Sequence, residues 1–186
     1  MKHLVFLLEE PSARDLLEGF LPKLLTHEDL RRHYMIFEGK QDLERNIPRK
    51  LRRWNLERSA FVILRDQDAA QCTAVKSRLS ELAAESGRER ILVRIACHEL
   101  ESWILGDWVA VAQAFEKPRW KDQSRSALYA DPDRLSNPVQ ELRKHLPEYQ
   151  KRDGARRVGP LLHPDRNRSI SFRVFCDGVQ RLVQQL

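Results

Sequence analysis

Four short apolar runs punctuate the first half of the chain: Leu4–Leu8 (LVFLL), Tyr34–Phe37 (YMIF), Phe61–Leu64 (FVIL) and Ile91–Ala96 (ILVRIA). They are continuous rather than alternating, the pattern of strands buried on both faces. Between them, apolar residues recur at helical spacing. In Pro11–Leu25 the residues Leu16, Leu17, Phe20, Leu21 and Leu24 form one stripe, and Pro11 suits a first helical turn. Asp42–Trp54 carries Leu43, Ile47, Leu51 and Trp54 opposite a basic face, with Pro48 expected to split the helix. Ala70–Glu85 repeats Val75, Leu79, Leu82 and Ala83. Strand and helix in alternation predict an α/β fold: a mainly parallel, four-stranded, Rossmann-like sheet flanked by helices.

The second half loses the strands. His98–Phe115 reads as one helix, with Leu100, Ile104, Val111 and Ala114 on its apolar side. Pro118, Pro132 and Pro138 break the chain between Glu116 and Val139, and a short helix follows over Val139–His145. Lys151–Arg168 is polar, basic and proline-bearing, and reads as a basic tail. Ser169–Leu186 closes as an amphipathic helix that turns Phe172, Phe175, Val179, Leu182 and Val183 inward. The expected organisation is an α/β core over 1–115 and a helical, Arg-rich extension over 116–186 packed upon it.

Composition narrows this further. The chain has 186 residues, 41% of them hydrophobic, which suits a folded domain and excludes a wholly disordered one. Cys72, Cys97 and Cys176 are far apart and show no CxxC spacing, so reduced, buried thiols are expected rather than a disulfide framework or a zinc knuckle. The Leu4–Leu8 run is too short for a signal-peptide core or a membrane span, which predicts a cytoplasmic protein with no membrane partner. The formal charge is +6, a weak pointer to an anionic partner.

Against that basic background the acids fall at telling places. Glu9 and Glu10 directly follow the first run, Asp66 and Asp68 follow the third, and Glu99 and Glu101 follow the fourth. In a parallel sheet all three pairs lie at the carboxyl-end edge, where α/β folds bind ligands. Converging carboxylates repel unless protonated or neutralised by cations. A hard divalent cation, Mg²⁺ or Mn²⁺, matches oxygen donors. In extended chain the two aspartates of the DxD point the same way. If Glu99 is already helical, Glu99 and Glu101 diverge by about 200° and only one faces the metal; Glu101 is then preferred, and Asp107 shares its face. Gly39 and Lys40 follow the second run and reach the same edge, where Lys40 offers its ammonium to a phosphate. Trp103 and Trp108 read as core.

These residues resemble the Toprim superfamily, which places a Glu after its first strand and a DxD after a later one. Glu9 or Glu10 matches the first motif, and Asp66 with Asp68 matches the second. More closely, the chain is similar to a bacterial Toprim-like family known only as a domain of unknown function. That resemblance rests on EEPSARDLLEGFLPKLL, GKQDL, RDQDAAQC, RIACHELESWILGDW and HPDRNRSISF, which span nearly the whole chain. The chain departs from the superfamily in having EEPS where a glycine usually stands beside the glutamate. It also adds HELESWILGD. The resemblance implies a metal-dependent nuclease related to the overcoming-lysogenization-defect branch, acting in bacterial anti-phage defence. Glu9, Glu10, Asp66, Asp68, Glu99 and Glu101 would hold metal, and Lys40 would join the acids in catalysis.

Lys151–Arg173 holds seven basic residues (Lys151, Arg152, Arg156, Arg157, Arg166, Arg168, Arg173) against Asp153 and Asp165, a density that suits phosphate contacts with DNA or RNA. Lys40, Arg65, Lys151, Arg156, Arg157, His163, Arg166 and Arg168 are the expected nucleic-acid contacts. His163 and Arg168 are expected to turn toward the acidic edge, and Asn167 or Ser169 to cap the last helix. The rival expectation is a non-catalytic binding or regulatory subunit with an ATPase partner, since the chain contains no GxxxxGK[ST] loop. A haloacid-dehalogenase-type phosphatase fits poorly, because its DxD follows the first strand.

Overall fold

The computed structural model describes residues 1–26 and 28–186. Strands β1 (Lys2–Leu8), β2 (Leu30–Ile36), β3 (Ser59–Asp66) and β4 (Ile91–Ala96) form one sheet in the order β2-β1-β3-β4. Every pairing is parallel, with Leu8 opposite both Ile36 and Leu64, and Asp66 opposite Ala96. Helices α1 (Pro11–Leu24), α2 (Lys40–Arg53) and α3 (Cys72–Ala84) make the crossovers. From β1 the chain crosses outward to β2, then returns past β1 to β3. The sheet therefore has a topological switch point between the carboxyl ends of β1 and β3.

Side-chain alternation along the central strands builds two cores. β1 sends Leu4, Phe6 and Leu8 to one face, with α1, and Val5 and Leu7 to the other, with α2 and α3. The first core is larger because α4 (Glu101–Leu105), α5 (Trp108–Ala114), α6 (Pro138–His145), α7 (Lys151–Val158) and α8 (Ile170–Gln184) add to it. Trp103, Trp108, Phe172 and Phe175 are each at most 1% exposed in that core, and each large apolar side chain removed from water contributes roughly 1.5–3 kcal/mol. Apolar packing is thus continuous from β1 to α8, across the point where the strands stop.

Three helical expectations need correction. Pro48 does not split α2; it lies inside a continuous helix. His98–Phe115 is not one helix, because Gly106 and Asp107 interrupt it and Asp107 caps α5 by accepting from the Ala110 amide at 3.1 Å. Lys151–Arg168 is not a tail: Lys151–Val158 is helical and buries Gly154, Ala155 and Val158. It runs on into a 3-10 turn, Gly159–Leu161, laid along α1. Nor are all the cysteines buried, since Cys72 and Cys97 are half-buried and Cys176 alone is fully so. Among the described residues, no helix is long and apolar enough to cross a membrane.

Candidate metal centre at the sheet switch point

The switch point is where the acids gather. Glu9 and Glu10 leave β1, and Asp66 ends β3, 9% exposed. The Glu9 carboxylate accepts from the Asp66 amide at 3.3 Å, joining the two strand ends directly. The neighbouring loops are tied to the same edge. The Gly39 amide donates to the Glu9 carbonyl at 3.2 Å, the Gln67 amide to Ala96 at 2.9 Å, and the Asp68 amide to His98 at 2.8 Å. Gly39, Asp68 and His98 all have positive φ, at 88°, 55° and 56°. Left-handed backbone is costly for residues other than glycine and clusters at functional loops.

That backbone separates the two aspartates. Because Asp68 leaves the extended conformation, the DxD carboxylates do not point the same way. Asp66 is buried, and the charges of Glu10 and Glu101 both act on it. Asp68 faces outward and meets the Lys40 ammonium at 3.0 Å, so Lys40 does reach this edge. Glu99 precedes the first turn of α4 rather than belonging to it, so the helical divergence from Glu101 does not arise. One Glu99 oxygen accepts from the Val139 amide at 3.1 Å, at the start of α6, and the other turns to the pocket.

At the centre stands Lys151, not out among solvent phosphates as its place in a basic segment suggests. Its Nζ lies 3.4 Å from Glu10, 3.7 Å from Glu99 and 3.8 Å from Glu101. Glu101 is 1% exposed. Its Oε1 accepts from the Tyr149 hydroxyl at 3.3 Å, while its Oε2 is buried without a hydrogen-bond partner. Burial first, then Glu10 and Glu101, pushes Asp66 well above the usual carboxylate range. Burial likewise pushes Glu101 up to about 7, against the opposing pull of Lys151. Glu9 is raised by burial and by Asp68, with Arg65 opposing. Burial alone would lower the Lys151 ammonium, but Glu101, Glu10, Asp66 and Glu99 outweigh it and raise it.

The donor set can be tested for a cation from these facts. Among the described residues no three donors form a ready-made cage. The chemistry nevertheless fits: the donors are hard oxygens, they are held in excess of positive charge, and one buried oxygen of Glu101 is unsatisfied. Glu9, Glu10, Asp66 and Glu101 are the candidate ligands for a divalent ion, with the second Glu99 oxygen beside them and Asp68 at the rim. A separate cavity of about 350 Å³ beside β4 is lined by apolar groups such as Val93, Ile95, Ile170 and Val174, and by none of these acids.

Several expected nucleic-acid contacts lie elsewhere. Arg65 is 6% exposed. It is spent on Glu44 at 2.5 Å and Glu9 at 3.7 Å, so it buttresses the site rather than facing a ligand. The His163–Arg168 loop does not turn to the acidic edge. α7 and its 3-10 extension start beside Asp15 and reach Lys23, whose Nζ donates to the Leu162 carbonyl at 2.9 Å. That seats His163 beside Phe20, Lys23 and Leu24 at the C-terminal end of α1, away from the acidic edge where α1 begins. There Asp107, 2% exposed, accepts from the His163 amide at 3.1 Å and from Arg166 at 3.0 Å. The Arg168 amide donates to Gly106 at 2.9 Å. Asp107 is therefore a cap and an ion-pair partner, not a metal ligand. Asn167 accepts from the Ser169 amide at 2.9 Å, and Ser169 caps α8 through the Phe172 amide at 3.1 Å. Arg156 and Arg157 remain on the exposed side of α7, beside Asp15 and Asp153.

Tyr149, Glu44 and Ser12 also serve the site, although they belong to no motif in the sequence. The Ser12 hydroxyl donates to Glu10 at 2.7 Å. Only Ser12 gave a signal, as the residue after Pro11 in the first helical turn.

No curated protein matches the sequence. Among solved structures the chain is similar to the "C-terminal region of the Burkholderia pseudomallei OLD protein", with a TM-score of 0.57, 15% identity, and coverage of 98% of this chain and 99% of that one. The likeness establishes a shared fold. Residues 8–180, nearly the whole chain, match the family described as "Domain of unknown function (DUF4276)", and the chain belongs to that family.

Proposed function

We propose that this protein is a Toprim-like, Mg²⁺- or Mn²⁺-dependent nuclease that hydrolyses phosphodiester bonds, in the anti-phage setting that its sequence resemblance implies. The observation that carries the reading is the meeting of Glu9, Glu10, Asp66 and Glu101 at the switch point of the sheet, with a buried Glu101 oxygen unsatisfied. The fold shared with the OLD C-terminal region supports it. When bound, the metal would supply positive charge against the scissile phosphate and lower the pKa of coordinated water.

The chain's own residues divide the remaining work. Burial of Asp66 and Glu101 excludes water from the floor of the pocket. Glu44 and Glu9 fix Arg65, and Arg65 in turn fixes the Glu9 carboxylate. Lys40, half exposed beside Asp68 at the rim, is placed to hold a phosphate of the backbone. Exposed Arg45, Lys50 and Arg53 on α2, with Arg156 and Arg157 on α7, extend a basic border.

The test is incubation of labelled DNA and RNA panels with Mg²⁺ or Mn²⁺, with Asp66→Ala as control. Cleavage by the native chain that falls at least 10²-fold in the folded variant and in excess chelator is expected. Undiminished cleavage by Asp66→Ala would sink the assignment.

One observation favours a second reading. Lys151 already neutralises part of the pocket, as in a site retired from catalysis. A binding or regulatory subunit working with an ATPase would then take up nucleic acid with no metal-dependent turnover on any panel.

A further inference from the structure

The contacts of Lys151 are unusual for a buried ion pair. Charge-assisted N–H···O bonds are normally about 2.7–2.9 Å long. Here the ammonium stands 3.4, 3.7 and 3.8 Å from three different carboxylates, and all three distances are longer than that. It donates one long hydrogen bond, to Glu10, and its charge is otherwise shared between Glu99 and Glu101. Its side chain is 33% exposed, so a path to solvent is open. Lys151 is the first residue of α7, and the helix is held independently through Arg152, which meets Asp15 at 2.7 Å. The side chain can swing away without moving the helix.

A divalent ion held by the same oxygens would carry twice the charge at roughly 2.1 Å. Two cations a few ångströms apart in a buried pocket repel strongly. The geometry points to an exchange: Lys151 is the resident counter-ion of the acidic pocket, and an entering divalent cation displaces its ammonium toward solvent. This rests on the metal reading given above and adds its regulation. The lysine sets the metal concentration at which the site loads, and it keeps the acids assembled below that concentration.

The experiment uses the full chain, freed of metal by chelation, at pH 8. Calorimetric titration with Mn²⁺ compares the native protein with Lys151→Met and Lys151→Arg. The methionine variant should bind Mn²⁺ about tenfold more tightly, having no ammonium to displace, and the arginine variant should stay near the native value. Because Lys151→Met has lost the counter-ion and is exposed to misfolding, a second readout needs no variant. Acylation of lysines in the native protein, read by mass spectrometry, should label Lys151 several-fold faster when Mn²⁺ saturates the site. Lys144, 64% exposed, serves as the unchanged control. Equal Mn²⁺ affinity of native and methionine proteins overturns the exchange alone, as does Lys151 labelling indifferent to Mn²⁺. Absence of Mn²⁺ binding by either protein overturns both the exchange and the metal reading.

Discussion

Glu101 is buried with one oxygen against the Tyr149 hydroxyl and the other without a donor. Its carboxyl is pushed from the ordinary 4.5 up to about 7, by burial before any other cause. The folded protein then holds a proton that the unfolded chain releases, so the contribution to stability is full below pH 4.5 and is lost as pH rises to about 7. Without metal, denaturant unfolding should show stability falling across that window by at most about 3 kcal/mol. Glu101→Gln should flatten the profile and leave the protein more stable at pH 8. A profile unchanged by Glu101→Gln would assign the slope to another group. Arg166 gives the opposite kind of residue-scale test. Its guanidinium neutralises Asp107, which is 2% exposed. Arg166→Ala should cost about 2 kcal/mol in urea unfolding, the value for a buried pair reduced for the exposed arginine end. Nucleic-acid affinity should stay within twofold, whereas a phosphate-contacting arginine would lose affinity and keep its stability.

At the scale of elements, α7 with its 3-10 turn is the piece that matters most. It lies so close on α1 that a Cβ on Gly159 would stand 2.6 Å from the Leu16 carbonyl oxygen. Backbone does not yield to such a contact. Gly159→Ala should therefore lower stability by about 2–3 kcal/mol, seen as a drop in Tm, and should loosen the seating of Lys151. The strands and crossover helices were legible in the sequence because buried parallel strands are continuous apolar runs and the helices between them keep one stripe. From that topology alone, Glu9, Glu10, Asp66, Asp68, Glu99 and Glu101 could be brought to one edge. α7 was not legible. Eight residues with Gly154, Ala155 and Val158 as their buried side present too little apolar surface to stand out from a basic segment. The break at Gly106 was hidden for a related reason: Trp103, Ile104, Trp108 and Val111 keep helical spacing across it, while the interruption is fixed by Asn167 and Arg166 some sixty positions later. Contacts of that range leave no local mark.

For the whole molecule, charge is arranged rather than averaged. The net +6 combines an acidic pocket with exposed Arg45, Lys50, Arg52 and Arg53 on α2 and Arg156 and Arg157 on α7. If about four phosphates are neutralised by these faces, affinity for duplex DNA should fall roughly 10²-fold between 50 and 200 mM salt. Fluorescence anisotropy with the Asp66→Ala protein measures this without cleavage, and a flat response would remove the basic faces from the interface.

The seating of Lys151 also fixes an order of events during synthesis. All six acids have been made once Glu101 leaves the ribosome, and the four strands that display them are then complete. The hydroxyl of Tyr149 and the ammonium of Lys151 arrive about fifty residues afterwards. Until they do, Arg65 and Lys40 are the basic groups at that edge, and Glu10, Glu99 and Glu101 lack the counter-charge that Lys151 supplies. A fragment that stops before Tyr149 should therefore be less stable than the full chain, because it lacks both the Glu101 partner and the counter-charge of the acids.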